Sequence, residues 1–464
     1  MSLSSKQLKS LTQLIPDGEV QSAPHQLVAY SYDNSRLQAM PDTVVIPHNR
    51  EEIIQLVKWC GVNKIPLISR GHGTGTTGAT VPVNGGVVLS MEKMNRILEI
   101  SPQNRFMVVE PGVTNQQVQD AAAEHGFFWP PDPTSAAVCT IGGNLACNAS
   151  GPRGVKYGSP RENVLGLEAV NGRGEPFKTG CYTTKGVVGY DLTRLLIGSE
   201  GTLAVITQAT LKLQPLPQTR QTLRVLYNSI QSAAKAVSRI MAQPVIPYSL
   251  EFMDDKAIQM ISDYSQLNLP DTARALLLIE VDGTYSTIAD SVEAIIDSAQ
   301  TEGCIDVFRA NSTEEIEQLW KTRKSLSPAL RKVAPKKINE DIVVPVSEIP
   351  LFLQKVAEIE VQHGVTIVNF GHAGNGNLHV NLLVDPDDST QMKAAHLALA
   401  AIFKLTLELR GTLSGEHGIG RVKREYVSQE IDAVAMRMMH DIKHVLDPYH
   451  ILNPGKSLPD DTTG

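Results

Sequence analysis

The chain has 464 residues, 42% hydrophobic and 20% charged, with a net charge of −7 from 42 basic and 49 acidic side chains. That length suggests about two to four domains of roughly 150 residues and a core that needs no disulfide support. The mild acidic excess argues against nucleic acid as a partner.

The cysteines, Cys60, Cys139, Cys147, Cys181 and Cys304, are irregularly spaced, with no C-x-x-C pair. They read as the reduced thiols of a cytoplasmic protein, not as ligands of an iron–sulfur cluster or a cysteine zinc site. The first residues lack the apolar core of a secretory signal, and no run reaches about 18 apolar residues, so membrane contact is expected to be peripheral at most.

In chain order, 42–47 reads as a short apolar strand and 50–62 as a helix with Ile53, Ile54, Val57 and Trp59 near helical spacing. The segments 64–69, 86–90 and 106–110 read as strands, 115–126 as a helix, and 129–158 as loop-rich. Two strands, 201–207 and 209–213, close this half, and Gln214-Pro-Leu-Pro-Gln218 is the best linker. Beyond it, 222–227, 229–242, 249–253, 275–281, 287–301 and 305–309 follow the order β-α-β-β-α-β of a ferredoxin-like unit, with one inserted helix. Long amphipathic helices are expected over 389–409 and 427–446.

Arg70-Gly-His-Gly-Thr-Gly-Thr-Thr-Gly78 contains a G-x-G-x-x-G pattern, and Glu92 stands about where a ribose-binding acid would be. A dinucleotide fingerprint must open a helix, so that the pyrophosphate rests on its N-terminus. Here Ala79-Thr-Val-Pro-Val-Asn-Gly-Gly86 follows, and its valines, proline and glycines forbid a helix start. The pattern instead suits a helix-free nest of backbone N–H groups that closes on a phosphate, with threonine hydroxyls as extra donors. A plain surface loop is the bland alternative. Asp132-Pro-Thr-Ser135, Thr140-Ile-Gly-Gly-Asn144, 148–158 and Ile197-Gly-Ser-Glu-Gly-Thr-Leu203 are further small-residue segments that let backbone approach a flat ring.

Near the C-terminus lie Gly371-His-Ala-Gly-Asn-Gly-Asn-Leu-His379 and Ser414-Gly-Glu-His-Gly418. His372, His379 and Glu416 make a two-histidine, one-carboxylate ligand set with room for substrate, zinc first, manganese or iron(II) with the same donors. His417 is then left as a base. On a strand His379 and Asn381 share a face. A metal hydrolase would use the same ligands on water, but leaves the glycine loop without a purpose.

These segments resemble the FAD-binding module of the vanillyl-alcohol oxidase/para-cresol methylhydroxylase superfamily, and the C-terminal motifs resemble its D-2-hydroxyacid dehydrogenases. The resemblance covers almost the whole chain. It implies an α+β, two-domain PCMH-type fold: a flavin domain over 1–216, a ferredoxin-like cap over 217–446, and a tail, 447–464, that returns to the flavin domain. It implies flavin contacts at Arg70, Gly71, His72, Gly73, Thr74, Gly75, Thr76 and Gly78, at Pro133, Thr134, Thr140, Gly142, Gly143 and Asn144, at Ser150, Gly151 and Gly154, and at Gly201, Ile206 and Asn453. The covalent histidine of some relatives would fall at Thr74, so FAD is expected to be non-covalent, with His72 a hydrogen-bonding loop residue.

The resemblance also places a substrate carboxylate on Arg323, with Ser327 and Asn381 beside it, and makes His417 the base and flavin N5 the hydride acceptor. D-Lactate is the leading substrate, with D-2-hydroxyglutarate and glycolate next. In an ungapped placement Asn339 stands where some hydroxyglutarate enzymes carry lysine, and a short gap would move Lys336 or Lys337 there. No second nucleotide motif argues for NAD, so a quinone, a cytochrome or an electron-transfer flavoprotein is the expected acceptor, and a homodimer the expected assembly.

Overall fold

Strands covered on both faces need unbroken apolar runs. Thr43–Ile46 and Val87–Ser90 have them, and every residue in both is buried. They pair in parallel, Val87–Ser90 pairs in parallel with Leu67–Arg70, and Glu19–Gln21 adds antiparallel to Thr43–Ile46. The helix Arg50–Asn63 packs on this sheet through Ile53, Leu56, Val57 and Cys60. Asn49 caps it by accepting from Glu52 N, and Glu51 and Glu52 suit the positive end of its dipole. Burying each Leu, Ile or Val here is worth roughly 1.5–3 kcal/mol.

The computed structural model describes residues 3–262 and 269–460. They fall into two units: 1–150, 158–216 and 416–464 form one, and 151–157 with 217–415 form the other. A second sheet of the first unit runs Ile97–Ser101, Phe106–Val109, Ala204–Lys212, Val164–Asn171, Pro176–Gly180, antiparallel throughout. Its core gathers Met107, Val109, Trp129, Ile141, Leu145 and Leu211.

The second unit is built on one seven-stranded sheet: Cys304–Arg309, Thr219–Tyr227, Ala275–Gly283, Ser249–Asp254, Thr366–Gly371, Asn377–Val384, Lys336–Val343. The first four stand in the ferredoxin-like order, fourth-first-third-second, and the last three extend the same sheet. Helix Thr313–Val333 covers one face through Leu319, Leu326 and Leu330, against Leu226, Leu276, Leu278 and Phe370. Among the described residues no helix is long and apolar enough to cross a membrane.

Several elements differ from the sequence expectation. The stretch read as loop-rich contains a helix, Ile141–Cys147, capped by Thr140 and ended by Asn148 at φ 56°. Its two glycines cost roughly 1 kcal/mol each in propensity, and the buried Ile141 and Leu145 override them. The strands expected at 201–207 and 209–213 are one strand, Ala204–Lys212, whose register slips between Ile206 and Gln208. The helix expected over 427–446 is broken: Val427–Glu430, then Ala433–Leu446, because Asp432 caps the second piece by accepting from Val434 N and Ala435 N.

The chain also changes units earlier than 447. Helix Ala433–Leu446 packs in the first unit, where Lys443 Nζ donates to Thr202 O and Leu452 O, and Leu446 O accepts from Gly172 N. The tail then pairs with the first sheet: Leu67 N donates to Ile451 O and Asn453 N to Leu67 O. In the other direction, 151–157 joins the second unit, where Tyr157 Oη donates to Asp282 Oδ2 and Lys156 pairs with Asp282.

Candidate active site

Strand register gathers a cluster of polar side chains on the second unit's sheet. Met253 pairs with Phe370, Phe370 with His379, and His379 with Asp341. Side chains two residues apart on a strand share a face. Glu251 therefore joins Met253, and His372, just past its strand, joins Phe370. One face of the sheet so carries Glu251, His372, His379 and Asp341, all buried. His372 Nδ1 lies 2.5 Å from Glu251 Oε1. The two imidazoles lie 5.2 Å apart at 84°, and His379 Nδ1 is 3.8 Å from Asp341 Oδ1.

Glu251 was not singled out from sequence, yet it organises this cluster. Arg323 Nε and Nη2 each approach Glu251 Oε2 at 2.7 Å, and its guanidinium lies 4.8 Å from the Phe370 ring centre. Burial pushes the Glu251 carboxyl up, but His372 and Arg323 together outweigh that and hold it at about 2. An ionised Glu251 can only accept, so the proton between them sits on His372 Nδ1. Arg323 is thus buried, and its guanidinium is not wholly available to substrate: Glu251 takes one side of its fork.

Asn381 is buried, and its Nδ2 donates to Val368 O and His379 O at 3.2 and 3.0 Å. Its Oδ1, like that of Asn339 directly opposite, has no hydrogen-bond partner among the described residues. The side chain of Ser327 lies outside the described residues. Asp341 Oδ2 accepts from Gly415 N at 3.0 Å and from Ser414 Oγ at 3.3 Å. Glu416 is the next residue along the chain.

In the first unit, Leu67–Arg70 runs into residues 71–86 with no helix before the parallel strand Val87–Ser90. Gly73 and Gly78 take φ of 67° and 75°, a region a side chain rarely tolerates. A Cβ at Gly71 would stand 2.2 Å from Thr140 Oγ1, whereas one at Gly75 would meet nothing within 4 Å. The loop is therefore packed on one side and open at Gly75. Thr76 Oγ1 is buried without a partner among the described residues. An open glycine beside an unused hydroxyl donor fits a phosphate.

Arg70 props the loop from beneath, donating to Ala29 O and Thr80 Oγ1. His72 Nδ1 meets Val138 O at 2.7 Å, and Thr74 O accepts from Asn34 Nδ2. Asn144 turns inward, accepting from Asn115 Nδ2 and donating to Cys139 Sγ. Gly142 lies against Pro111, and Thr140 Oγ1 accepts from Gly143 N. Pro133 O accepts from Ala136 N, next to the exposed Thr134. Gly201 takes φ 70°, and Ile206 is half-buried at the register slip. Asn453 Nδ2 donates to Ala79 O and Glu200 O. Gly151 and Gly154 fall in the second unit. Glu92, the false ribose acid, accepts from Tyr30 Oη.

His417 is fixed by the same loop. Thr77 Oγ1 donates to His417 O at 3.4 Å, and Thr77 O accepts from Arg421 N and Val422 N. Ser150 Oγ donates to Glu416 Oε2 at 3.4 Å. Glu200 accepts from Ile419 N and Gly420 N at 2.8 and 2.9 Å.

Comparison with known proteins agrees with this architecture. A family described as FAD linked oxidases, C-terminal domain, matches residues 216–457, and one described as FAD binding domain matches 41–180. The solved structure of p-cresol methylhydroxylase with substrate bound aligns at a TM-score of 0.79, over 97% of this chain and 96% of that one at 19% identity, and so shows the PCMH-type fold. The chain belongs to the FAD-linked oxidases. It is 41% identical over 435 residues to glycolate oxidase subunit GlcD of Bacillus subtilis, covering 94% of this chain and 93% of that one. It is 36% identical to the D-lactate dehydrogenase of Archaeoglobus fulgidus, covering 92% and 95%. To the D-2-hydroxyglutarate dehydrogenase of Stutzerimonas stutzeri it is 32% identical, covering 97% and 98%.

Proposed function

We propose that this protein oxidises a short D-2-hydroxyacid, D-lactate first, to the 2-oxoacid, using non-covalent FAD and a divalent cation. The observation that carries the reading is the buried pair His372 and His379, each beside a carboxylate and facing one side of the sheet. Histidine ligands characteristically have a carboxylate behind them. His372, His379 and Glu416 are the proposed ligands, zinc the first choice.

When bound, FAD supplies the acceptor for the Cα hydride. A divalent cation supplies a Lewis acid for the substrate hydroxyl. The chain does the rest. His417 takes the hydroxyl proton. Arg323, oriented by Glu251, offers its Nη1 end to the substrate carboxylate. Asn381 Oδ1, buried without a partner among the described residues, is a position for the substrate to satisfy. Asn339, opposite Asn381, supplies no cation for a distal carboxylate, which favours short acids. Glycolate is a second reading, favoured by the 41% identity to a glycolate oxidase subunit. Electrons leave to a quinone, a cytochrome or an electron-transfer flavoprotein.

Anaerobic titration of the flavin absorbance with D- and L-2-hydroxyacids tests this. D-Lactate or glycolate should bleach the flavin and L-lactate should not. No bleaching by any 2-hydroxyacid would overturn the proposal. Chelation should stop turnover with flavin retained, and turnover that survives full metal removal would take the cation out of the reaction.

A further inference from the structure

We infer that Glu200 is a positioning residue for His417: its carboxylate holds the segment that follows the base against the flavin loop. The inference rests on the reading of His417 as base, and it concerns a side chain not assigned above to flavin, metal or substrate.

Glu200 lies in Gly198-Ser-Glu-Gly-Thr202, a turn whose small residues suggest ring contact. Its side chain does something else. It is buried, and Oε1 accepts from both Ile419 N (2.8 Å) and Gly420 N (2.9 Å), with Oε2 also 2.9 Å from Gly420 N. Gly418 comes so close that a Cβ there would stand 2.1 Å from Glu200 Oε1, and it takes φ 82°. The main chain just past His417 is thus shaped around this carboxylate.

The backbone of Glu200 is equally committed. Its N donates to Ala146 O in the helix Ile141–Cys147, and its O accepts from Asn453 Nδ2. It holds φ at 53°, in the left-handed region that a non-glycine residue adopts only under strain. Strain of that kind persists where surrounding bonds enforce it, and it clusters at functional positions. On the opposite side, Thr77 O accepts from Arg421 N and Val422 N. Residues 417–422 are therefore clamped between Thr77 of the phosphate loop and Glu200. The charges that act on the carboxylate are the buried Lys456 and Lys423; the carboxylate and the buried Asp33 both act on Lys456 and on the Cys147 thiol, and Arg421 acts on Lys456. Burial pushes the Glu200 carboxyl up to about 7, against the pull of the Gly420 and Ile419 N–H groups and the two lysines. Protonation would replace an acceptor by a donor in front of the Gly420 N–H.

The test uses Glu200→Gln in the flavin-loaded protein. An amide keeps the size but turns one acceptor into a donor. The expected result is retained flavin, KM within about twofold, and flavin reduction slowed roughly ten- to a hundredfold, the scale of a small misplacement of a reacting group. The acid limb of the pH profile should flatten near neutrality. Hydrogen exchange of the 417–422 amides should speed up, a readout independent of activity. Unchanged reduction, pH profile and exchange overturn the inference. If Glu200→Gln does not fold, Gly418→Ala, which pushes on the same carboxylate from the other side, decides. Slowed reduction at normal KM upholds the proposal, and normal reduction ends it. His417→Ala separates the two readings: if that variant reduces flavin normally, the base assignment fails, whatever Glu200 does.

Discussion

The two units present their candidate functional groups on different material. The first works with backbone: Gly73 and Gly78 at positive φ, the open side of Gly75, main-chain N–H groups of 419–422 held by Glu200 and Thr77. The second works with side chains set in register: Glu251, His372, His379 and Asp341 on one face of neighbouring strands. A phosphate is large, anionic and satisfied by many weak donors, so a nest of amides suits it. A metal and a small acid need few groups in fixed directions, which adjacent strands supply.

The contrast predicts where single substitutions hurt most. The largest effect is expected for His417→Ala, which removes one side chain and leaves the backbone nest alone. Flavin content should be normal, while substrate-driven flavin reduction, followed by stopped flow, should fall about a thousandfold. Next comes Glu251→Gln. It keeps the shape but loses the charge that His372 and Arg323 share, so metal affinity should drop roughly ten- to a hundredfold. Metal content after dialysis against graded chelator checks this; an unchanged affinity would remove Glu251 from the site. Glu251→Ala should also destabilise the fold by roughly 3–5 kcal/mol, because Arg323 would be left buried without its partner.

On the backbone side the expected effects are smaller, since no one donor dominates. Thr76→Val should weaken FAD binding about tenfold, the value of one hydrogen bond to a charged group, with kcat on saturating FAD unchanged. A loss of a thousandfold would mean the loop depends on one hydroxyl after all, and the contrast would fail.

The smallest effect concerns pH. Asp254, which caps Asp255–Ser262 through Ala257 N and holds Asn369, has its carboxyl pushed up to about 7 by burial, against those N–H donors. A carboxyl raised in the folded state binds more protons there than in the unfolded chain. Its stabilising contribution is therefore complete below about pH 4 and is lost as pH rises through about 7. Thermal melts of Asp254→Asn should show a shallower fall in Tm between these limits than the parent protein. An equal slope would remove Asp254 as its source.

How much of this could be read from sequence follows the same divide. The helix-free glycine loop was legible because Val81, Pro82 and Val83 forbid the alternative locally. The shared face of His379 and Asn381 was legible because strand periodicity is local too. Glu251 was not. Its partners lie 72 and 121 residues away, and nothing in Ser249-Leu-Glu-Phe-Met253 announces a pairing. The one available signal was a charge flanked in its strand by Leu250 and Phe252. The helix Ile141–Cys147 was missed for the opposite reason: its local signals, two adjacent glycines, point away from what the core imposes.

The return of residues 416–464 to the first unit has a consequence for how the protein is made. The glycine loop leaves the ribosome well before Ile451 and Asn453, for which Leu67, at the foot of its strand, waits. Glu200 likewise waits for Ile419 and Gly420. The nascent flavin unit therefore stays unfinished until residues 416–453 have been made. Flavin capture is then expected to wait for those residues, and truncation ahead of Ile451 should cost the cofactor before it costs the second unit.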